Sequence, residues 1–119
     1  MRPDAIVCLE RGRAAFNRGE YFQAHERWEE AWHELAGVER ILVQGLIQIA
    51  AGLHHLQEHR PRPAAGLLRK GLDKVSHGTF APPVDLHLGA LAHDVSHLLD
   101  KLEASEGQVP GAPPFCRLL

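Results

Sequence analysis

The strongest constraint on the fold is an apolar run over residues 38–56, with the sequence VERILVQGLIQIAAGLHHL. Its length approaches the roughly 20 residues that a membrane-spanning helix needs. Arg40, Gln44 and Gln48 interrupt the run, so we interpret it as a buried core helix and expect no membrane partner. A helix that is apolar on nearly every side lies at the centre of its domain. The rest of the chain must therefore supply the elements that cover it.

The remaining segments carry helical patterns. Apolar residues recur at intervals of three and four, and no alternating stretch of β-branched residues occurs. The sequence therefore predicts an all-α fold, a compact bundle of about five helices around a central buried third helix. Residues 1–104 are expected to form a single helical domain, and the Pro- and Gly-rich residues 105–119 an irregular C-terminal tail. The predicted helices span residues 4–17, 21–35, 38–58, 63–76 and 84–104.

Composition excludes some classes of function. The formal net charge is -2, and the 13 Lys and Arg residues are scattered along the chain. Nucleic-acid binding needs a concentrated basic face, so we expect no nucleic-acid partner. Cys8 and Cys116 lie near opposite ends of a sequence without a recognisable signal peptide. Two such cysteines are typical of free thiols in a reducing compartment, and we therefore expect a cytoplasmic protein.

The second predicted helix carries a histidine and a glutamate on its inner side. At 100° per residue, His25 falls on the same face as Trp28 and Trp32, and Glu29 lies on the flank of that face. His25 and Glu29 are four residues apart, which makes them neighbours on a helix surface. The other charged residues of this segment point towards solvent. His25 and Glu29 are therefore the candidate site residues of this helix.

The third predicted helix carries a polar stripe that matches this pair. A buried amide without a hydrogen-bond partner costs about 1–3 kcal/mol, so polar side chains on a central helix must find partners. The inward pair of the second helix is the simplest partner. We therefore predict a buried polar cluster between the two helices, formed by His25, Glu29, Arg40, Gln44, Gln48 and His55.

Residues 12–75 resemble a known family. The segments FNRGEYFQAHERWEEAW, RILVQGLIQIAAGLHHL and AAGLLRKGLDKV together are similar to the bacterial and archaeal family called domain of unknown function 309. The resemblance implies a compact helical fold and no established reaction. The positions that match the motif are Phe16, Asn17, Gly19, Tyr21, His25, Glu26, Glu29, Trp32, Arg40, Gln44, Gly45, Gln48 and His55.

Two functions remain open, and whether the protein is an enzyme is left undecided. The first is a binding or structural module, with a homodimer through an exposed part of the fifth helix as one arrangement. The alternative is a metal-assisted or acid–base enzyme that acts on a small molecule at His25 and Glu29. We expect no cofactor. In one variant of the enzyme alternative, His25 and Glu29 bind a divalent metal ion. The spacing differs from the His-Glu-x-x-His zinc motif, because Glu29 replaces the second histidine.

Overall fold

The computed structural model describes residues 1–104, which form five helices and no strand. The all-α prediction is therefore confirmed for this part of the chain. The predicted tail, residues 105–119, lies outside the described residues. The helices are α1 (Pro3–Asn17), α2 (Tyr21–Trp32), α3 (Gly37–Gln57), α4 (Pro61–Val75) and α5 (Leu88–Ala104).

The helices pack mainly against their neighbours in sequence. α3 lies between α2 and α4, while α1 packs on α2 and α5 packs on α4. Glycines let α3 and α4 approach closely: a Cβ on Gly71 would lie 2.7 Å from the carbonyl oxygen of Gly45 and 2.6 Å from the side chain of Ile49. The apolar run thus supplies the middle of the bundle, as its composition predicted. Its buried residues are Leu42, Val43, Gly45, Leu46, Ile49, Ala50, Gly52, Leu53 and Leu56.

A short turn joins α1 and α2 into a helical hairpin. Gly19 adopts a left-handed conformation with a φ of 78°, which glycine reaches without steric cost. The backbone N–H of Gly19 donates to Phe16, and that of Glu20 donates to Ala15 at 2.9 Å, so the last carbonyl groups of α1 are satisfied. The chain therefore reverses direction within three residues, which fixes α2 against α1.

Most helix boundaries fall within two residues of the prediction, but two differ by more. α2 ends at Trp32 instead of residue 35, because the N–H groups of Glu34 and Leu35 bond to carbonyl groups only three residues back and tighten the last turn. α5 begins at Leu88 instead of residue 84. Val84 is nevertheless buried, so the apolar spacing that suggested a helix there reports contact with the core.

Within the described part of the chain, none of the helices has both the length and the apolar composition that crossing a membrane requires.

Candidate functional site

The side of α2 that faces the core is rotated by part of a turn from the predicted one: Trp28 is buried as predicted, but His25 and Trp32 are only partly buried. Ala24 and Ala31 are completely buried together with Trp28. Because alanine adds little bulk, the neighbouring helices approach α2 along this line. His25 therefore lies at the edge of the α2–α3 contact, with 26% of its side chain exposed, and Glu29 is 50% exposed. The prediction that the polar cluster is buried is wrong: no polar or charged residue among residues 1–104 is buried.

His25 and Glu29 are neighbours, as their spacing predicted. Nε2 of His25 lies 3.4 Å from Oε1 of Glu29, one turn further along the same helix. Both side chains reach solvent, so a molecule from solution has access to the pair. The contact lies within α2 and does not join α2 to α3.

A groove runs between α2 and α3, and the two glutamines of the predicted cluster lie on its α3 side. Oε1 of Gln48 accepts a hydrogen bond of 2.9 Å from Nζ of Lys74, which belongs to α4. Gln48 is therefore tied to the opposite neighbour of α3. Together with Glu29, Gln44 and Gln48 border a recess of about 210 Å³ between α2 and α3. We call it the glutamine recess; it is lined by Glu29, Trp32, His33, Gln44, Ile47 and Gln48.

Arg40 joins α3 to α2 by another route. Its guanidinium carbon lies 3.9 Å from the centre of the Trp32 ring, a distance at which a cation attracts the face of an aromatic ring. Nη1 of Arg40 also donates to the carbonyl oxygen of Leu35, at 3.5 Å. Arg40 therefore contacts the C-terminal end of α2.

His55 lies at a second recess, further along the groove. This recess measures about 180 Å³ and is walled by rings from both helices. The rings of Phe22 and His25 are nearly parallel, with 15° between their planes and centres 6.2 Å apart. The ring of His54 lies 5.4 Å from that of Phe22. We call this site the imidazole recess; it is lined by Phe22, His25, Ala51, His54 and His55.

Two nitrogen atoms in this region have no hydrogen-bond partner. Nδ1 of His25 and Nδ1 of His55 are shielded from solvent, and neither contacts a donor or acceptor within residues 1–104. Nearly all buried polar atoms in folded proteins are hydrogen-bonded, so each exception needs an explanation. Here both exceptions belong to residues that line the same recess. Nε1 of Trp32, at the glutamine recess, shares this property.

Phe22 and His54 were absent from the predicted cluster. Phe22 is half exposed, an unusual position for a large apolar ring. A signal for it was present, because Phe22 precedes His25 by three residues and thus lies on the same side of α2. His54 follows Ala51 by three residues on α3, and both line the imidazole recess. The six predicted residues are thus divided between two recesses and the Arg40–Trp32 contact.

The donor atoms for a metal ion are few. His25 and Glu29 could give an ion two ligands, whereas structural zinc sites use four and catalytic sites three. Within residues 1–104 no three His, Cys, Asp or Glu side chains come together in a group that could hold a metal ion. The metal variant of the enzyme alternative therefore gains no third ligand from the described residues.

The groove lies within a segment shared with other proteins. The family model "Domain of unknown function (DUF309)" matches residues 9–67. Residues 9–67 belong to the DUF309 family. The matched residues include all of α2 and α3, and hence both recesses. An uncharacterized protein of Aquifex aeolicus (strain VF5) is 32% identical over 65 residues. This is 54% of the present chain but only 20% of that protein, so the chain spans about a fifth of the relative's length.

Proposed function

We propose that this protein is a binding module and that the groove between α2 and α3 is its ligand-contacting surface. The observation that carries the proposal is the pair of shielded, unpartnered Nδ1 atoms of His25 and His55 beside a recess that opens to solvent. An unsatisfied buried polar atom costs about 1–3 kcal/mol, and stability alone gives no reason to keep two of them side by side. A bound molecule that displaced the two imidazole rings enough to reach these atoms would supply both missing partners.

In the purely structural alternative, side-chain hydrogen bonds of the predicted cluster hold α2 against α3. Their hydrogen bonds support this alternative poorly. Glu29 approaches His25 on its own helix, and Gln48 is bonded to Lys74 of α4. No side-chain hydrogen bond of His25, Gln48 or His55 joins α2 to α3 within the described residues.

Stability measurements separate the two alternatives. We expect the replacements His25→Leu and His55→Leu to leave the free energy of unfolding unchanged or to raise it by up to about 1 kcal/mol, because each removes an unsatisfied nitrogen. Lys74→Met is the matched control, since it breaks a hydrogen bond that is made, and it should lower stability by about 1 kcal/mol. A loss of more than about 1 kcal/mol in both histidine variants would support the structural alternative instead.

Binding is tested directly by ligand-observed NMR on the full chain. A library of small fragments that includes charged and neutral rings is screened, and hits are tested for competition with one another. We expect a set of hits that compete for one site and that lose binding in Phe22→Ala. Val7→Ala is the control, because Val7 is a similarly exposed apolar residue on α1. Hits that are unaffected by Phe22→Ala, or the absence of any hit, would contradict the proposal.

An acid–base enzyme acting at His25 and Glu29 is a second candidate. It is favoured by the solvent access of a histidine that lies 3.4 Å from a carboxylate, an arrangement that can orient a general base. The same NMR samples test it over time. Conversion of a bound fragment that stops in Glu29→Gln, while binding persists, would support catalysis. Fragments that stay unchanged in the wild-type protein would leave the binding module as the better description.

A further inference from the structure

A separate recess lies between α1 and α2, on the other flank of α2. It measures about 320 Å³, which makes it larger than either recess of the groove between α2 and α3. Trp28 fills the middle of the α1–α2 contact, and this recess lies at the rim of that contact. Three arginines line it: Arg11, Arg18 and Arg27. We call it the arginine recess, and none of the predicted site residues belongs to it.

The recess follows from the residues that the α1–α2 hairpin places on one side. Those of α1 lie three or four positions apart and hence share one face: Arg11, Ala14, Ala15 and Arg18. The side chains of Ala14 and Ala15 are short, so they leave a hollow between the two arginines. α2 borders this hollow from the other side with Gln23 and Arg27. The recess is therefore cationic at its edges and apolar at its floor.

The arginines of this recess outnumber its carboxylates. Glu20 is the single acidic residue among those of residues 1–104 that line it, and its Oε2 accepts a hydrogen bond of 2.9 Å from Nη2 of Arg18. Nη1 of Arg27 donates to Oε1 of Glu30, which lies outside the lining, at 3.2 Å. Each bond uses one of the five N–H groups of a guanidinium, so both arginines keep free donors. Arg11 has no hydrogen bond or ion pair within the described residues.

Arg11 and Arg27 lie at the same end of the recess. Arg11 follows Cys8 by three residues on α1, so the two side chains are neighbours. Sγ of Cys8 lies 3.4 Å from Glu30, the carboxylate that also accepts from Arg27. Two cations at one end of a recess repel each other, and an anion between them would replace that repulsion by attraction. Guanidinium groups suit this task, because their planar N–H forks match the oxygen pairs of carboxylates and phosphates.

We propose that the arginine recess binds the oxyanion group of a small molecule, a phosphate or a carboxylate, between Arg11 and Arg27. Gln23, which lines the recess beside them, offers its amide as a further donor. Small-molecule sites measure about 300–1,000 Å³, so the recess has room for the anion and for a small body over the two alanines. This site is distinct from the groove between α2 and α3 and does not rest on the function proposed for that groove.

Phosphate and acetate are the probes that test the proposal. Each replaces sodium chloride at constant ionic strength in a solution of the full chain, so that general screening by salt stays fixed. The side-chain Nε–H resonances of the arginines are followed by ¹H–¹⁵N NMR at slightly acidic pH. We expect at least one probe to cause saturable shifts at Arg11 and Arg27 that exceed the shift at Arg62, an exposed arginine of α4. The probe that binds more tightly identifies the group as a phosphate or a carboxylate.

Arg11→Gln removes the arginine that has no partner. Because Arg11 is exposed and makes no ion pair within residues 1–104, its replacement should leave the fold intact. The loss of its charged hydrogen bonds should weaken binding of the preferred probe at least about tenfold. Arg62→Gln is the matched control, since it changes the net charge by the same amount away from the recess, and it should bind the probe as the wild-type protein does.

The Cys8 thiol gives a second readout beside the recess. Burial and the contact with Glu30 raise the pKa of this thiol, whereas the positive charge of Arg11 lowers it. An anion on Arg11 would offset that charge and reduce the thiolate fraction further. We therefore expect the preferred probe to slow alkylation of Cys8 by about twofold in a Cys116→Ser background. The probe should have no such effect once Arg11→Gln is added.

Several results would overturn the inference. Shifts at Arg11 and Arg27 no larger than that at Arg62, with both probes, would mean that the recess holds no oxyanion. Equal weakening by Arg11→Gln and Arg62→Gln would reduce the effect to net charge. A slowing of Cys8 alkylation that persists in Arg11→Gln would place the anion elsewhere. Ring fragments that the preferred probe displaces belong to the arginine recess and are set aside when the groove between α2 and α3 is screened.

Discussion

The two flanks of α2 are built differently. On the flank towards α1, Trp28 is completely buried and its Nε1 donates to the carbonyl oxygen of Leu9 at 3.1 Å. The indole lies directly over Gly12, where no side chain intervenes. On the flank towards α3, Trp32 is half buried and its Nε1 has no partner within residues 1–104. The indole N–H of a tryptophan thus has a hydrogen-bond partner on one side of the helix and none on the other within the described residues.

This difference indicates which flank serves stability and which serves another purpose. The α1 flank carries an open recess of about 320 Å³ at its charged rim, lined by Arg11 and Arg27 among others, and its charged residues form ion pairs, such as Arg27 with Glu30 at 3.2 Å. The α3 flank has two recesses, and three shielded nitrogen atoms without partners lie at them. Proteins commonly give up stability at sites where function needs a particular arrangement. The comparison therefore predicts large stability losses from changes on the α1 flank and small ones on the α3 flank.

The largest loss is expected for Gly12→Ala. A Cβ at this position would lie 2.2 Å from Nε1 of Trp28, and the buried indole has no space into which it can move. Overpacking of this kind costs about 1–3 kcal/mol or more, and the hydrogen bond to Leu9 would be lost as well. We expect the free energy of unfolding to fall by about 3 kcal/mol, measured by urea denaturation.

The control for this prediction is Gly66→Ala in α4. Apart from the backbone of its own helix, no atom of residues 1–104 lies within 4 Å of the position that its Cβ would take, and alanine favours helix over glycine. Gly66→Ala should raise stability by up to about 1 kcal/mol. If both glycine variants behave alike, the contact between Gly12 and Trp28 is not as tight as described.

Trp28→Phe should cause the next largest loss. Phenylalanine fills part of the space of the indole but cannot donate to Leu9, so a cavity and a missing hydrogen bond result. We expect a loss of about 2 kcal/mol. Trp32→Phe is the matched change on the other flank, where the indole makes no such bond, and should cost clearly less. Comparable losses of stability in the two tryptophan variants would show that the two flanks do not differ in this way.

Arg40→Gln tests the contact that joins the α3 flank to α2. Glutamine cannot provide the cation over the Trp32 ring, and such contacts contribute about 0.5–1 kcal/mol at exposed sites. We expect a loss in this range by thermal and chemical denaturation. Arg62→Gln, an exposed residue of α4 with no ion pair among the described residues, should be neutral. A loss above about 2 kcal/mol in Arg40→Gln would mean that this flank is held more firmly than we infer.

Much of the fold could be predicted from the sequence, because apolar periodicity reports burial directly. The run at residues 38–56 predicted the central α3, and the i, i+4 spacing predicted the contact of His25 with Glu29. The rotation of α2 could not be predicted in this way. A helical projection gives relative directions, and it favours large rings over alanine as core residues. Only the packed structure shows that Ala24 and Ala31 face the core and leave His25 at the edge.

The sequence also could not predict that the polar residues would be divided between different sites. Gln48 has a partner on α4, because Lys74 comes within hydrogen-bond distance once the glycines bring α3 and α4 together. Such a contact depends on the position of two helices relative to each other, and no periodicity within one helix contains that information. Phe22 was missed for another reason: the predicted site consisted of polar residues only, whereas an apolar ring walls the imidazole recess.

The smallest predicted effect concerns Cys8 on the α1 flank. Sγ of Cys8 lies 3.4 Å from Oε2 of Glu30. Burial raises the pKa of the Cys8 thiol above its ordinary value, and the hydrogen bond and negative charge of Glu30 raise it further. A raised pKa means less thiolate at a given pH, and the thiolate is the reactive form. Cys8 should therefore react slowly with iodoacetamide near pH 8.

Glu30→Gln should reverse part of this effect. Removal of the charge lowers the pKa of Cys8 towards its ordinary value, so the thiolate fraction rises at every pH below that pKa. The intrinsic nucleophilicity of the thiolate falls as its pKa falls, so we expect only a roughly two- to fivefold faster alkylation. The rate is measured by mass spectrometry in a Cys116→Ser background, with Glu26→Gln as the matched control on an outward position of α2. An unchanged rate in Glu30→Gln would show that Glu30 does not control this thiol, and would remove one of the side-chain contacts that distinguish the α1 flank from the α3 flank.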